Sequence, residues 1–313
     1  MKIIDAHSHL GGILYNNGGD IIEQQGVTKK WIFDPITIWQ FFLNRKFKMG
    51  RIPYEIFKPY IINAEHERNL TATRENARKS MDEAGVSFSV CMPIPPHVYF
   101  NDVKKAAEKD SGLIPFTGVD FSKMETLSNQ FEDDIKKGAK GLKLHPIIQK
   151  VNFTDEKIKT AVDLFIKFDL PILFHAGISY YYHKKEQSNQ IPEYGSIKEA
   201  RDLVAAFPQG KFIAGHAGMF DVMDVIKLLG NFKNVWVDTS FQSPGVIKKL
   251  IKTFGPEKVL FASDWPFGSR ITGIKAVKAA CGSDKKLADM VLYKNTKNLL
   301  NIRPLTEKVL TGI

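Results

Sequence analysis

Cysteine is scarce in this chain: 313 residues hold two, Cys91 and Cys281, with no Cys-x-x-Cys spacing. That excludes a disulfide framework and leaves both as reduced, structural thiols of a protein expected in the cytoplasm. Long apolar runs are missing too. No stretch approaches the roughly 18 uncharged apolar residues of a membrane-spanning helix, and the run after Lys2 is broken at Asp5, so neither a span nor a secretory leader is expected. No Gly-x-Gly-x-x-Gly turn follows that first run, which removes the signature of a dinucleotide-binding open sheet. Repeats of constant period and low-complexity segments are absent as well.

What is there fits an ordinary soluble globular protein, with 43% hydrophobic and 25% charged residues. The length suits one large α/β barrel with an insertion, for which about 250 residues is typical. The formal charge is +10, with 44 basic against 34 acidic residues. Its lysines come in scattered pairs such as Lys104-Lys105, Lys136-Lys137 and Lys248-Lys249, not gathered with aromatic residues. This reads as a solvated surface, and neither nucleic acid nor a membrane is expected as a partner.

Short apolar, β-branched runs alternate with amphipathic stretches. Strands are expected at 2–8, 86–93, 113–119, 140–145, 171–176, 211–216, 234–239 and 258–264. Helices are expected near 71–84, 101–110, 123–137, 154–168, 196–207, 220–229, 244–254 and 273–281, with a last one over 284–300. The stretch 154–168 carries an apolar stripe of Val162, Leu164, Phe165 and Phe168 and opens on Thr154 as the expected cap. Strict alternation predicts a parallel sheet, and eight units predict its closure into a (β/α)8 TIM barrel forming a single domain over 1–313.

Residues 10–70 do not fit that alternation, because a loop between a strand and its helix usually runs two to six residues. The segment holds Trp31, Phe33, Trp39, Phe41, Phe42, Phe47, Tyr54, Phe57 and Tyr60, so it should be ordered. Placed after strand one, it is expected over the barrel mouth as a lid or substrate wall, or as a self-association surface that makes a dimer.

Catalytic groups of a parallel barrel gather at the C-terminal ends of its strands. His7 and His9 end strand one, and a strand's period of two puts both imidazoles on one face. Lys143 and His145 end strand four, His175 strand five, His216 strand six and Asp264 strand eight. One strand-end histidine would read as a core imidazole; several on independent strands point to a metal site. Lys143, His145, Arg270 in the loop after Asp264, and Tyr180 in the patch Tyr180–His183 are candidate substrate-binding residues. Asp238 and Ser240 are candidates for contact with substrate or with metal ligands.

The segments Asp5-Ala6-His7-Ser8-His9, Gly141-Leu142-Lys143-Leu144-His145-Pro146, Phe174-His175-Ala176-Gly177, Gly215-His216-Ala217-Gly218, Val237-Asp238-Thr239-Ser240 and Ala262-Ser263-Asp264-Trp265-Pro266 together resemble the amidohydrolase superfamily. Within it they are similar to the amidohydrolase-related, or type 2, family, which includes aminocarboxymuconate-semialdehyde decarboxylase and resorcylate decarboxylases as well as hydrolases. The insertion at 10–70 has no counterpart in that pattern.

The resemblance implies one divalent metal ion held by His7, His9, His175 and Asp264, with His216 and Asp264 as acid/base groups. Zinc leads on ligand type, and manganese, iron or cobalt accept the same set. In binuclear relatives a strand-four lysine is carboxylated and bridges two metals. The Lys-Leu-His-Pro context is closer to the mononuclear branch, where Lys143 stays cationic and anchors an anionic group. The implied activity is hydrolysis of a small anionic organic substrate by metal-activated water. The alternative is metal-dependent decarboxylation of an aromatic or unsaturated carboxylic acid.

Overall fold

The apolar segments become the staves of one closed parallel barrel in a computed structural model that describes residues 2–30, 34–43 and 51–302. β1 (Ile4–Ser8) pairs with β2 (Phe88–Cys91), and β2 with β3 (Leu113–Pro115). A second run continues through β4 (Thr117–Gly118), β5 (Leu142–Leu144), β6 (Pro171–Phe174), β7 (Lys211–Ala214), β8 (Val235–Asp238) and β9 (Val259–Leu260), each parallel to the next. The expected strand 113–119 is thus two pieces. At Phe116 the backbone N–H still donates to Cys91, whereas that of Thr117 turns to Gly141, so one stave serves both neighbours. Closure is made by Ala6 N–H on the Phe261 carbonyl (2.9 Å), Asp264 N–H on His7 (2.8 Å) and His9 N–H on Trp265 (2.7 Å). No edge is left open there.

Side chains alternate across the wall. Ile172 and Phe174 of β6 join the outer core under the helices, while Leu173 between them joins Ile213, Leu260 and Val90 inside the barrel. The same parity sends Lys143, between outward Leu142 and Leu144, into the interior. β1 breaks the rule to useful effect. Ile4 and Ala6 both pack inside, and the register is irregular between Asp5 and Ser8. This bulge moves His7 to the inner face with His9 and leaves Asp5 outside.

Most helices fall where the pattern placed them, with three adjustments. The 154–168 helix runs Glu156–Ile166 and is capped by Asp155, whose carboxylate accepts from Lys157 N–H at 2.8 Å; Thr154 is tied instead to the Asn152 side chain. The helix expected from 273 begins at Arg270, because Ser269 caps it. The last helix carries a π turn at Met290–Lys294. No helix among the described residues is long and apolar enough to cross a membrane.

Among the described residues, the segment 10–70 contributes a 3-10 turn at Gly18–Ile21 and two α-helices, α1 (Pro35–Leu43) and α2 (Arg51–Asn69). Arg68 of α2 donates to the carbonyls of Pro266 (3.2 Å) and Phe267 (2.6 Å) and to Asp34 and Thr37. Trp39 stacks between Phe220 (5.3 Å) and Phe241 (5.5 Å), and His66 Nε2 meets the Tyr181 carbonyl at 2.6 Å. These contacts seat the helices on the loops that follow β6, β7, β8 and β9. Of the aromatic residues expected to order the segment, Trp39 and Tyr54 are buried while Phe57 and Tyr60 are exposed. Trp31, Phe33 and Phe47, and the side chains of Phe41 and Phe42, lie outside the described residues.

Candidate active site

Three side chains from two strand ends converge on one point. His7 Nε2 lies 3.2 Å from His9 Nε2, and Asp264 Oδ1 lies 3.5 Å from the first and 3.4 Å from the second. The outer nitrogens are already used: His7 Nδ1 bonds Asp238 Oδ2 at 2.9 Å and His9 Nδ1 bonds the Met92 carbonyl at 2.8 Å. Both partners accept, so both Nδ1 atoms carry the proton and both Nε2 atoms present lone pairs. Asp264 Oδ1 is itself buried with no hydrogen-bond partner. Two lone pairs and a carboxylate oxygen so arranged call for a positive charge between them, and this donor set fits a divalent transition metal. His7, His216 and Asp238 also cluster, but there the contacts are those of a hydrogen-bond chain.

Asp238 is the hub of that chain. Ser240 donates to Asp238 Oδ1 through both N–H (2.9 Å) and Oγ (2.5 Å), and His216 Nδ1 lies 2.8 Å from Ser240 Oγ. With the serine proton committed to Asp238, His216 Nδ1–H donates to Ser240 and its Nε2 is the free base. The His216 ring stacks on His7 at 4.9 Å, and its Nδ1 is 3.8 Å from Asp264 Oδ2. The backbone is left-handed at His216 (φ 56°) and at Asp264 (φ 58°), conformations that cost non-glycine residues about 1–3 kcal/mol each. Gln242, donating to the His216 carbonyl at 2.6 Å, helps hold the first.

Lys143 Nζ donates to His7 Nε2 at 2.9 Å. Burial lowers the lysine to about 8, against the pull of Asp264 and Asp238. Burial, then the Lys143 charge, also lowers His7, His9 and His175, the last to about 3. Burial is likewise the main cause of the lowered His216, so these imidazoles stay neutral and able to donate lone pairs. Burial pushes Asp264 the other way, well above the carboxylate range, and a bound cation would reverse that.

His175 stands beside the convergent donors, not among them. Its Nε2 faces the Gly177 carbonyl at 3.1 Å, and its ring stacks on His145 at 4.3 Å and tilts against His216 at 5.1 Å. Gly177 has φ +97°, and a Cβ there would meet the Gly218 carbonyl at 2.4 Å, so only glycine closes the turn that presents this carbonyl. His145 accepts weakly from Ile148 N–H as a helix cap and keeps its ring against His175.

Two expected substrate contacts are displaced. Arg270 is buried outside the barrel wall, with Nε on Asp5 Oδ2 (3.1 Å), Nη2 on Ser89 Oγ (2.8 Å) and its guanidinium over Trp265. Asp5, outward between inward Ile4 and Ala6, supplies this partner. Tyr180 is half-buried under Lys58 of α2, its N–H on the Tyr54 hydroxyl. Its neighbour Tyr181 is the inward residue, with its hydroxyl 3.3 Å from His175 Nδ1 and its ring edge-on to His145. Glu65 of α2 carries no signal in the sequence. Burial pushes it up to about 8 despite Arg68 nearby, and it shares a cavity with Asp264 and Tyr181.

A neutral-imidazole and carboxylate centre at the C-terminal mouth of a (β/α)8 barrel defines a class of metal-dependent barrel enzymes. The chain belongs to the amidohydrolase family in its type 2 form: the family model described as "Amidohydrolase" matches residues 4–302. No curated protein matches the sequence. Solved structures share the fold at low identity. The 5-carboxyvanillate decarboxylase LigW from Sphingomonas paucimobilis is 14% identical with a TM-score of 0.65, over 96% of this chain and 99% of that one. A 5-carboxyvanillate decarboxylase from Novosphingobium aromaticivorans complexed with manganese is 13% identical (TM-score 0.63, 96% of each chain). A probable 2-pyrone-4,6-dicarboxylic acid hydrolase from Acinetobacter baumannii is 15% identical (TM-score 0.57, 96% and 100%).

Proposed function

We propose that this protein is a metal-dependent carboxy-lyase that removes carbon dioxide from an aromatic carboxylic acid, in preference to the hydrolysis that the family name suggests. The observation that carries the reading is the cavity over Asp264. It is narrow, with about 20 Å³ of free interior, and is lined by Ile36, Trp39, Tyr54, Phe241 and Phe267, with Glu65, Ser179, Tyr181 and Met219 completing the wall. Flat aromatic walls suit a planar ring once α1 and α2 part from the barrel loops to admit it. The decarboxylases among the structural neighbours support the same reading.

His7, His9 and Asp264 would hold the metal, with His175 swinging in as a fourth donor. Bound there, a divalent cation supplies positive charge for a substrate oxygen and for the negative charge that develops as the carbon–carbon bond breaks. Manganese, carried by one neighbour, suits this set as well as zinc does. Lys143 anchors the departing carboxylate, and α1 and α2 act as the lid that keeps the ring dry. Loss of carbon dioxide leaves a carbanion equivalent that needs one proton; His216 Nε2, the free base, would first take that proton from solvent and then give it to the ring carbon, while Ser240 and Asp238 hold its Nδ1–H.

The test is incubation of metal-loaded protein with carboxyl-labelled hydroxybenzoates. Release of labelled carbon dioxide, with one solvent deuterium in the product ring, is expected. No gas from any such acid, together with oxygen-18 from water entering the products of an ester or lactone panel, would return the site to a hydrolase.

A further inference from the structure

We propose that Trp39 and Glu65, both carried by the 10–70 segment, read a hydroxyl group on the substrate ring at the end far from the carboxylate. The inference rests on the aromatic-acid reading above and adds what that reading lacks, the feature that selects one aromatic acid over another.

The cavity over Asp264 is mostly apolar, and its polar atoms divide into two kinds. Some are engaged within the site. The Tyr54 hydroxyl accepts from Tyr180 N–H at 3.3 Å and the Tyr181 hydroxyl lies against the His175 ring, whereas Ser179 Oγ is buried without a partner. Asp264 Oδ1 faces the two imidazole lone pairs. Of the four buried atoms on this wall without a hydrogen-bond partner, Ser179 Oγ and Asp264 Oδ1 belong to the barrel loops, and Trp39 Nε1 and Glu65 Oε2 are the two carried by α1 and α2. A buried polar atom left unpaired costs about 1–3 kcal/mol, so a fold carries such atoms where something else pairs them.

The two orphans are complementary. The indole N–H is a donor only, whereas a carboxyl oxygen accepts whether or not its group is protonated. A hydroxyl offers one hydrogen and two lone pairs, and so carries a partner for each of the two kinds of atom. An ether or a methyl group satisfies one or neither. Position follows from anchoring: the reacting carboxylate belongs at the strand ends with Lys143 and Asp264, whereas Trp39 and Glu65 come from α1 and α2 on the lid side. Trp39 is held rigidly for the task, parallel to Phe220 and Phe241 within 14° and 11°. A site built to hydrogen-bond a hydroxyl rejects the analogue without it, because that analogue leaves the protein atoms unpaired.

The test is calorimetric binding of 4-hydroxybenzoate and of benzoate to manganese-loaded protein. Wild type should bind the hydroxylated acid about tenfold tighter or better, a difference of about 1.4 kcal/mol. That preference should collapse toward parity in Glu65→Leu and in Trp39→Phe, and survive in part in Glu65→Gln, with folding checked by circular dichroism. Should Glu65→Leu fail to fold, the conservative Glu65→Gln and Trp39→Phe still decide. An unchanged preference in the variants, or equal loss for both acids, overturns the assignment. Binding with the expected preference but without any carbon dioxide release keeps the recognition pair and sinks the carboxy-lyase reading. Failure of wild type to bind either acid overturns both.

Discussion

At the residue scale the site is governed by which nitrogen or oxygen is already spoken for. Asp238 and the Met92 carbonyl take the Nδ1 protons of His7 and His9, and so decide that the Nε2 atoms meet Asp264. Lys143 then faces His7 Nε2 as the one ammonium of the cluster. Burial lowers it from 10.5 to about 8. For a base the sign is simple: the ammonium is present below that value and lost above it. A carboxylate substrate anchored by Lys143 should therefore bind well below about pH 8 and show KM rising close to tenfold per pH unit above it. A metal bound nearby moves the break lower, never higher. Steady-state KM measured between about pH 6 and pH 9 checks this, and Lys143→Met should give a raised, flat profile. A flat wild-type profile would remove Lys143 from substrate binding.

At the scale of elements, legibility follows regularity. The strand ends are readable because a buried parallel strand is an apolar run, and the residue where polarity breaks in stands at its mouth; Lys143, Asp238 and Asp264 all sit at such breaks. Deviations from the period are not readable. The β1 bulge brings His7 to the inner face beside His9, while outward Asp5 claims Arg270, and nothing in the local pattern of either residue announces a partner 265 positions away. Tyr180 and Tyr181 differ by one residue in a loop without a period, so the sequence cannot say which faces inward. Glu65 lies on a helix of mixed polarity and is defined only by what α2 covers. Arg68 is what ties α2 down, through the Pro266 and Phe267 carbonyls and the Asp34 carboxylate. Arg68→Ala leaves those buried carbonyls unpaired and takes from Asp34 one of its two cations, Lys29 remaining, at a cost of about 2–3 kcal/mol. Because the Arg68 side chain joins α1 and α2 to the barrel loops and not the barrel to itself, hydrogen exchange should quicken across 35–69 while β5 to β8 keep their protection. Uniform loss of protection over the whole chain would mean that these helices are integral to the barrel and not a lid on it.

For the whole molecule, the decisive property is how many cations the barrel mouth holds, since every acid–base assignment depends on it. A mononuclear centre uses His7, His9 and Asp264 with His175 in reserve; a carboxylated Lys143 would instead divide the histidines between two ions. Metal per chain, measured by elemental mass spectrometry on protein prepared without chelator, should lie near one. His9→Ala removes a convergent donor and should abolish both the metal and the activity. His216→Asn removes only a base that is held off the donors by Ser240, so it should keep the metal and lose about 10²–10⁴ in turnover. Thermal unfolding gives an independent reading. A ligand that binds only the folded chain stabilises it by about 2.7 kcal/mol at a hundredfold excess over its Kd. Added manganese or zinc should therefore raise the melting temperature of wild type and His216→Asn alike and leave His9→Ala unmoved. Two metals per chain, with metal lost on His216→Asn as well, would show that His216 is a ligand and that the barrel runs as a binuclear centre bridged through Lys143.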